Sequence, residues 1–236
     1  MRIDILTIFP KMFHAVLNES IIKRAQKKRK VAIFVHNLRD FSPDKHHKVD
    51  DRPFGGGPGM VMRPEPIFNA VEYILGFGKK RNTQYAGRKA KVILLSPQGK
   101  KLTQRIAKGL AKNSRLILIC GHYEGIDERV RRFLVDEEIS IGDYVLSGGE
   151  LPAMIVVDCI VRLIPGVLGE KKSLHFESFE DNLLEYSQYT RPANYKGMRV
   201  PYLLLSGDHN KIEEYRKKQA IKITKKKRPD LLKNSV

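Results

Sequence analysis

Two short unbroken apolar runs, Lys91-Val92-Ile93-Leu94-Leu95 and Arg115-Leu116-Ile117-Leu118-Ile119, constrain the fold more than any other feature of this chain. Such runs suit strands buried on both faces of a parallel sheet. Between them, Thr103 is placed to cap a helix carrying Ile106, Ala107 and Leu110. The same alternation starts at the N-terminus. Ile3-Asp4-Ile5-Leu6-Thr7-Ile8 reads as a β-branched strand, and Pro10 opens a helical stretch with Phe13, Val16 and Leu17 on one face. A second strand is expected at Val31-Ala32-Ile33-Phe34-Val35, with helices over 66–75, from about Ile126, and over 150–163. The β-α-β order predicts an α/β layer structure over 1–168. Beyond it, a polar stretch without clear periodicity predicts a linker over 169–179. The remainder, 180–236, is expected to be a small, mostly helical domain with Pro192 and Pro201 as punctuation and a basic helix over 208–224.

Charge narrows the partners. The chain has 236 residues, and 44 Lys+Arg against 26 Asp+Glu leave a net +18. An excess that large favours a polyanion, because each cation near a phosphate releases a counterion; an anionic membrane surface is the competing reading. The membrane reading is the weaker, since the basic helices lack a Trp/Phe-rich apolar face. Cationic residues crowd 23–30, 79–91 and the tail from 211 onward, and the role of 79–91 stays open. Two cysteines, Cys120 and Cys159, are too few for a disulfide scaffold or a Cys-rich zinc site, and both sit in apolar runs that predict buried thiols. The first residues are too short an apolar run, and too charged, for a signal peptide. No stretch reaches the roughly 18 apolar residues that span a bilayer. The longest, 151–164, is broken by Asp158 and Arg162. The expectation is a soluble, cytoplasmic protein.

Chemistry gathers in glycine-bearing loops. Gly55-Gly56-Gly57-Pro58-Gly59 is neither a P-loop nor a dinucleotide fingerprint, since no Lys-Ser/Thr pair follows and a proline interrupts it. It reads equally as a ligand-approach loop or as a plain turn. Three further loops each follow an expected strand. They are Leu95-Ser96-Pro97-Gln98-Gly99, Cys120-Gly121-His122-Tyr123-Glu124-Gly125, and Ser140-Ile141-Gly142-Asp143-Tyr144-Val145-Leu146-Ser147-Gly148-Gly149-Glu150. In open parallel sheets, ligands bind outside the carboxyl ends of the strands, where such loops converge. Tyr123, Tyr144 and Leu146 can form an apolar and aromatic wall among exposed backbone donors and acceptors, which suits an adenine-like ring. Val145 stands where a nucleophile elbow needs glycine, so Ser147 is not read as a nucleophile. His46 and His47 lack a third ligand at metal-binding spacing.

These strings, with Asp51-Arg52-Pro53-Phe54-Gly55-Gly56-Gly57-Pro58-Gly59-Met60, Ile164-Pro165-Gly166-Val167-Leu168-Gly169, Tyr189-Thr190-Arg191-Pro192 and Leu204-Leu205-Ser206-Gly207, resemble the bacterial tRNA (guanine-N1)-methyltransferases. The likeness runs in order through nearly the whole chain, and the string from Ser140 to Pro152 is its most specific part. The resemblance implies a SPOUT-type α/β domain with a deep trefoil knot, S-adenosyl-L-methionine as methyl donor, and guanine 37 of tRNA as target. It also implies a cytoplasmic homodimer with a composite active site, tRNA contacts from the C-terminal domain, and a need for Mg2+, for which the sequence offers no carboxylate cluster.

Site residues carry over by motif. Gly121, Ile141, Gly142, Asp143, Tyr144, Val145 and Leu146 correspond to the family's cofactor contacts, with Pro97, Tyr123, Glu124, Gly125, Gly148 and Gly149 completing the wall. The reaction needs a base for the N1 proton and a cation for charge developing on O6. By resemblance these are Glu177, which stands where the family has Asp before Ser178-Phe179, and Arg162. A non-enzymatic RNA-binding protein would share the charge but has no need of three glycine loops at strand ends. A different SPOUT enzyme would share the knot but not a need for Glu177.

Overall fold

The structure is a computed structural model that describes residues 1–76, 89–168 and 176–233. Most of the basic stretch 79–91 and the first part of the expected linker, 169–175, lie outside the described residues. The chain divides into two compact units, Met1–Leu168 and Gly169–Val236.

In the first unit, β1 (Arg2–Thr7) leads through a 3-10 turn into α1 (His14–Leu17) and α2 (Ser20–Lys27). There follow β2 (Ala32–Asn37), the two-residue strands β3 (Asp50–Asp51) and β4 (Val61–Met62), and α3 (Pro64–Leu75). Next come β5 (Lys91–Lys101), α4 (Gln104–Leu110), β6 (Arg115–Cys120), α5 (Glu128–Phe133), β7 (Glu137–Ser140) and α6 (Glu150–Val161). Five strands form one sheet in the order β2-β1-β6-β5-β7. All its pairings are parallel, with Ile3 level with Ile33 and Leu116.

The apolar runs are continuous because each strand feeds two cores. Ile3, Ile5, Ile93, Leu95, Leu116 and Leu118 pack with Ala153, Val157 and Ile160 of α6. Leu6, Val92, Leu94, Ile117 and Ile119 pack on the other face with Ile67, Val71 and Ile74 of α3. Successive side chains point to opposite faces, so alternation splits one run between two layers. α6 is apolar almost all round and buries most of its length, yet Leu151 and Ile155 remain exposed. Thr103 caps α4 as its sequence predicts, accepting from the Ile106 amide at 3.3 Å. Among the described residues, no helix is long and apolar enough to cross a membrane.

Two local expectations need correction, and one element was not expected. The helical stretch after Pro10 breaks into a 3-10 turn, Pro10–Phe13, and the four-residue α1. The helical period does not carry across that break, so Phe13 and Leu17 are buried while Val16 is exposed. The chain from Ser96 to Gly99 is not a simple loop, because β5 resumes beyond it. Leu95 and Lys100 both pair with Ile139, and the intervening residues bulge out. Gly99 is required there: a Cβ would lie 2.4 Å from the Glu138 and Ile139 backbone. Flanking the glycine-rich segment, β3 and β4 form a short antiparallel ladder that the sequence reading did not anticipate.

The second unit contains a 3-10 turn (Glu180–Asn182), an antiparallel hairpin of β8 (Asn194–Tyr195) and β9 (Met198–Arg199), α7 (His209–Lys227) and α8 (Asp230–Lys233). The hairpin escaped the sequence reading, though Lys196-Gly197 was its signal. Both residues adopt positive φ, at 50° and 83°, as a two-residue primed turn demands. Asp208 caps α7 by accepting from the Lys211 amide at 3.1 Å. Within α7, buried Thr224 accepts from the Leu184 amide at 2.8 Å and donates to the Ala220 carbonyl at 2.7 Å, tying the preceding chain to the helix.

Candidate functional site

β6, β5 and β7 are neighbours in a parallel sheet, so the loops leaving their carboxyl ends emerge at one edge. They enclose a cavity of about 330 Å³. Pro97 contributes from the β5 bulge, and Gly121, Tyr123, Glu124 and Gly125 from the loop after β6. Ile141, Gly142, Tyr144, Val145 and Leu146 line it from the loop after β7, with Gly148 and Gly149 at the start of α6. Asp143 does not join them: it is exposed and pairs with Lys101 Nζ at 2.6 Å. A local turn separates it from its neighbours. Buried Ser140 accepts from the Gly142 amide at 3.2 Å and donates to the Gly142 carbonyl at 2.9 Å, and Gly142 takes φ 157°.

Two glycines of the third loop have packing reasons of their own. The Gly149 amide donates to the Gly121 carbonyl at 2.8 Å, and a Cβ at Gly149 would lie 2.7 Å from Cys120 Cα. At Gly148 a Cβ would meet Glu150 Oε2 and His122 Nδ1, each at 2.4 Å. At Gly149 the obstacle is backbone that cannot rotate away, so the third loop closes directly onto the second; at Gly148 it is two side-chain ends. The second loop is itself strained, with Tyr123 at φ 59°. A left-handed non-glycine residue costs roughly 1–3 kcal/mol and is held by its surroundings. Those surroundings are backbone hydrogen bonds from Glu124 to the Met60 carbonyl, from Met62 to Gly125, and from Asp127 to Met62, at 2.9–3.0 Å.

Beneath the cavity, Glu150 is only 2% exposed and accepts from Thr7 Oγ1 at 2.7 Å. His122 Nδ1 lies 3.9 Å from Glu150 Oε2, buried and without a hydrogen-bond partner among the described residues. Burial, reinforced by the Glu150 carboxylate, pushes the Cys120 thiol well above its ordinary range, which disqualifies it as a nucleophile. Cys159 is only half-buried, and burial first, then Asp158, raises its thiol too. Sequence reading also missed Arg131. From α5 it lines the cavity and binds Glu138, Gln98 Oε1 at 3.1 Å and Ser96 Oγ at 3.4 Å, which clamps the β5 bulge against β7. No spacing signal pointed to that role.

The two residues expected to act on the base lie on different units. Arg162 is half-buried at the carboxyl end of α6, where its amide donates to the Asp158 carbonyl at 3.3 Å, outside the cavity lining. Glu177 is half-buried in the second unit and lines a cavity of about 270 Å³ with Phe176, Glu180, Glu213, Arg216 and Lys217. The Tyr189-Thr190-Arg191 string lines another second-unit cavity, about 330 Å³, where the Arg216 guanidinium lies 4.8 Å above the Tyr186 ring. Among the described residues, no group of three or more His, Cys, Asp or Glu is placed to hold a metal ion.

Residues 1–234 match the family model described as tRNA (Guanine-1)-methyltransferase TrmD. Among curated relatives, the tRNA (guanine-N(1)-)-methyltransferase of Ruminiclostridium cellulolyticum is 56% identical over 231 residues, covering 98% of this chain and 96% of that protein. The protein of the same name from Bacillus subtilis is 53% identical over 234 residues, covering 99% of this chain and 93% of its own. That of Carboxydothermus hydrogenoformans is 54% identical over 233 residues, or 99% and 88%.

Proposed function

The chain belongs to the tRNA (guanine-1)-methyltransferase family and is an enzyme of tRNA methylation, and from that premise we propose that it methylates N1 of guanine 37 with S-adenosyl-L-methionine as donor. The observation that carries this reading is the meeting of three separate loops in one cavity at the carboxyl edge of the sheet. The cavity fits the donor by size, since about 330 Å³ falls among small-molecule sites. It fits by chemistry as well. Tyr123, Tyr144 and Leu146 supply an apolar wall, and the chain from Gly121 and from Ile141 to Leu146 supplies backbone donors and acceptors. When bound, the donor supplies an electrophilic methyl group on a sulfonium.

The chain's own residues prepare the base. Guanine N1 carries a proton at neutral pH and becomes nucleophilic only as that proton leaves. Glu177 is assigned the role of general base, and Arg162 that of the cation facing the charge that develops on O6. Because the two sit on separate units, an active site that uses both must join a first unit to a second. A homodimer that pairs the first unit of one subunit with the second unit of its partner meets that requirement, and the exposed Leu151 and Ile155 on α6 offer apolar surface for it. A knotted first unit, tRNA contacts from the basic α7, and a cytoplasmic setting complete the reading. The residues described do not fit a dedicated Mg2+ site.

Methyl transfer from labelled S-adenosylmethionine to tRNA transcripts bearing guanine or adenine at position 37 tests the reading, with the modified nucleoside identified by mass. N1-methylguanosine formed only on the guanine transcript is the expected result. Donor binding without that product overturns the target.

A further inference from the structure

The glycine-rich segment plays no part in the cavity wall, yet among the described residues of the first unit it carries the most exposed large apolar side chain. Phe54 is 100% exposed at the tip of the β3–β4 loop, beside exposed Arg52. A phenylalanine that touches nothing forgoes roughly 1.5–3 kcal/mol of burial. Beyond a turn hydrogen bond from the Gly56 amide to the Pro53 carbonyl at 3.3 Å, no described residue crowds the neighbouring glycines. A Cβ added at Gly55, Gly56 or Gly57 would meet no atom within 4 Å. Their φ values of 86°, 81° and 115°, not packing, keep these positions glycine.

The base of this arm is anchored at the methyl-donor cavity. β3 and β4 pair Asp50 with Met62 and Asp51 with Val61. Gly59 is pressed onto the side chain of Glu124, which lines the cavity, so that a Cβ there would lie 2.4 Å from Glu124 Cγ. Phe54 precedes Gly59 by five residues, a reach of at most ~18 Å. The tip therefore stays close to whatever nucleotide is presented at the cavity mouth. A rigidly rooted, glycine-jointed arm ending in a bare aromatic ring suits one ligand feature above others: the π-face of an unstacked base. The +18 net charge of the chain argues for RNA over another protein as the occupant.

We propose that Phe54 stacks on a nucleobase of the RNA substrate and holds the target strand at the cavity mouth. The assignment rests on the tRNA methyltransferase reading. It makes Phe54 a positioning residue whose ring, not merely its bulk, matters.

The chain contains no tryptophan, so Phe54→Trp places the one tryptophan of the variant at the tip, where it can be excited apart from the tyrosines. Its emission should be quenched as the guanine-37 transcript is added, saturating at the concentration at which the RNA binds. Phe54→Ala should raise the KM for RNA by roughly 5- to 150-fold, the range of one lost stacking contact, while leaving S-adenosylmethionine binding unchanged. Phe54→Tyr should restore the affinity and Phe54→Leu should not. Emission that ignores bound RNA, or rescue by Leu, overturns the proposal while leaving the activity assignment standing. Emission that responds to protein concentration but not to RNA assigns the ring to a contact between copies and likewise overturns it. A wild-type protein that neither binds nor methylates the transcript overturns both readings.

Discussion

Gly149→Ala should damage the cavity more than its single added methyl suggests. The new Cβ would sit 2.7 Å from Cys120 Cα and 2.9 Å from the Gly121 nitrogen, against 3.4 Å at the near edge of ordinary contact. Both obstacles are backbone at the end of a central strand, so neither can rotate away. The third loop must move off the second by about 0.7 Å, weakening the 2.8 Å hydrogen bond from Gly149 to Gly121. Overpacking of this kind costs roughly 1–3 kcal/mol. A cost near 2 kcal/mol lowers the Tm of a unit this size by ~4–8 °C. Because Gly121 and Gly149 both line the cavity, donor affinity should fall with stability. Calorimetric unfolding and titration with S-adenosylhomocysteine read the two effects side by side. Gly109→Ala is the control of opposite sign: Gly109 lies in α4 with nothing within 4 Å, so alanine should be neutral or stabilising by up to about 1 kcal/mol. An unchanged Tm and affinity in Gly149→Ala would refute the claim that the loops close by backbone contact.

Arg162→Ala should leave donor binding intact and slow methyl transfer by two or more orders of magnitude, about 3 kcal/mol of lost charge stabilisation; unchanged turnover removes Arg162 from the mechanism. Glu177→Gln should be inactive and Glu177→Asp active in the same assay, and equal rates for Gln and Glu end the general-base assignment. Acid should unfold the first unit partly through Asp4, which is 0% exposed and bound by Arg2, His36 and Arg115 at 2.8–3.1 Å. Burial alone would raise its carboxyl, but hydrogen bonds from His36, Arg2 and Arg115 outweigh burial and hold it at about 2, below the ordinary 3.8. A carboxyl depressed on folding contributes stability that is present above the ordinary value and lost as pH falls toward the folded one. Roughly 2 kcal/mol should therefore disappear between about pH 5 and pH 2. Denaturant unfolding at a series of pH values should show that loss in the wild type and a flatter dependence in Asp4→Asn.

Much of the first unit was legible because its signals are local. Val92 to Leu95 and Leu116 to Ile119 announce doubly covered strands through their own composition, and Thr103 announces the cap of α4 through one side chain. The three loops were legible because strand ends in a parallel sheet share an edge whatever the details of packing. The breaks in pattern were not legible. Sequence alone did not reveal that β5 pairs twice with Ile139, that Asp143 turns toward Lys101, or that Arg131 clamps the bulge. The glycines of the third loop looked like ligand contacts, and only tertiary structure showed that Gly149 is also required by the chain itself. Thr7 and Glu150 meet across 143 residues, a contact that depends on which strands and helices lie side by side. Periodicity and capping act within one element and can be read along the chain. Close approach between elements is decided by strand order and register, and it exists only once the sheet has formed.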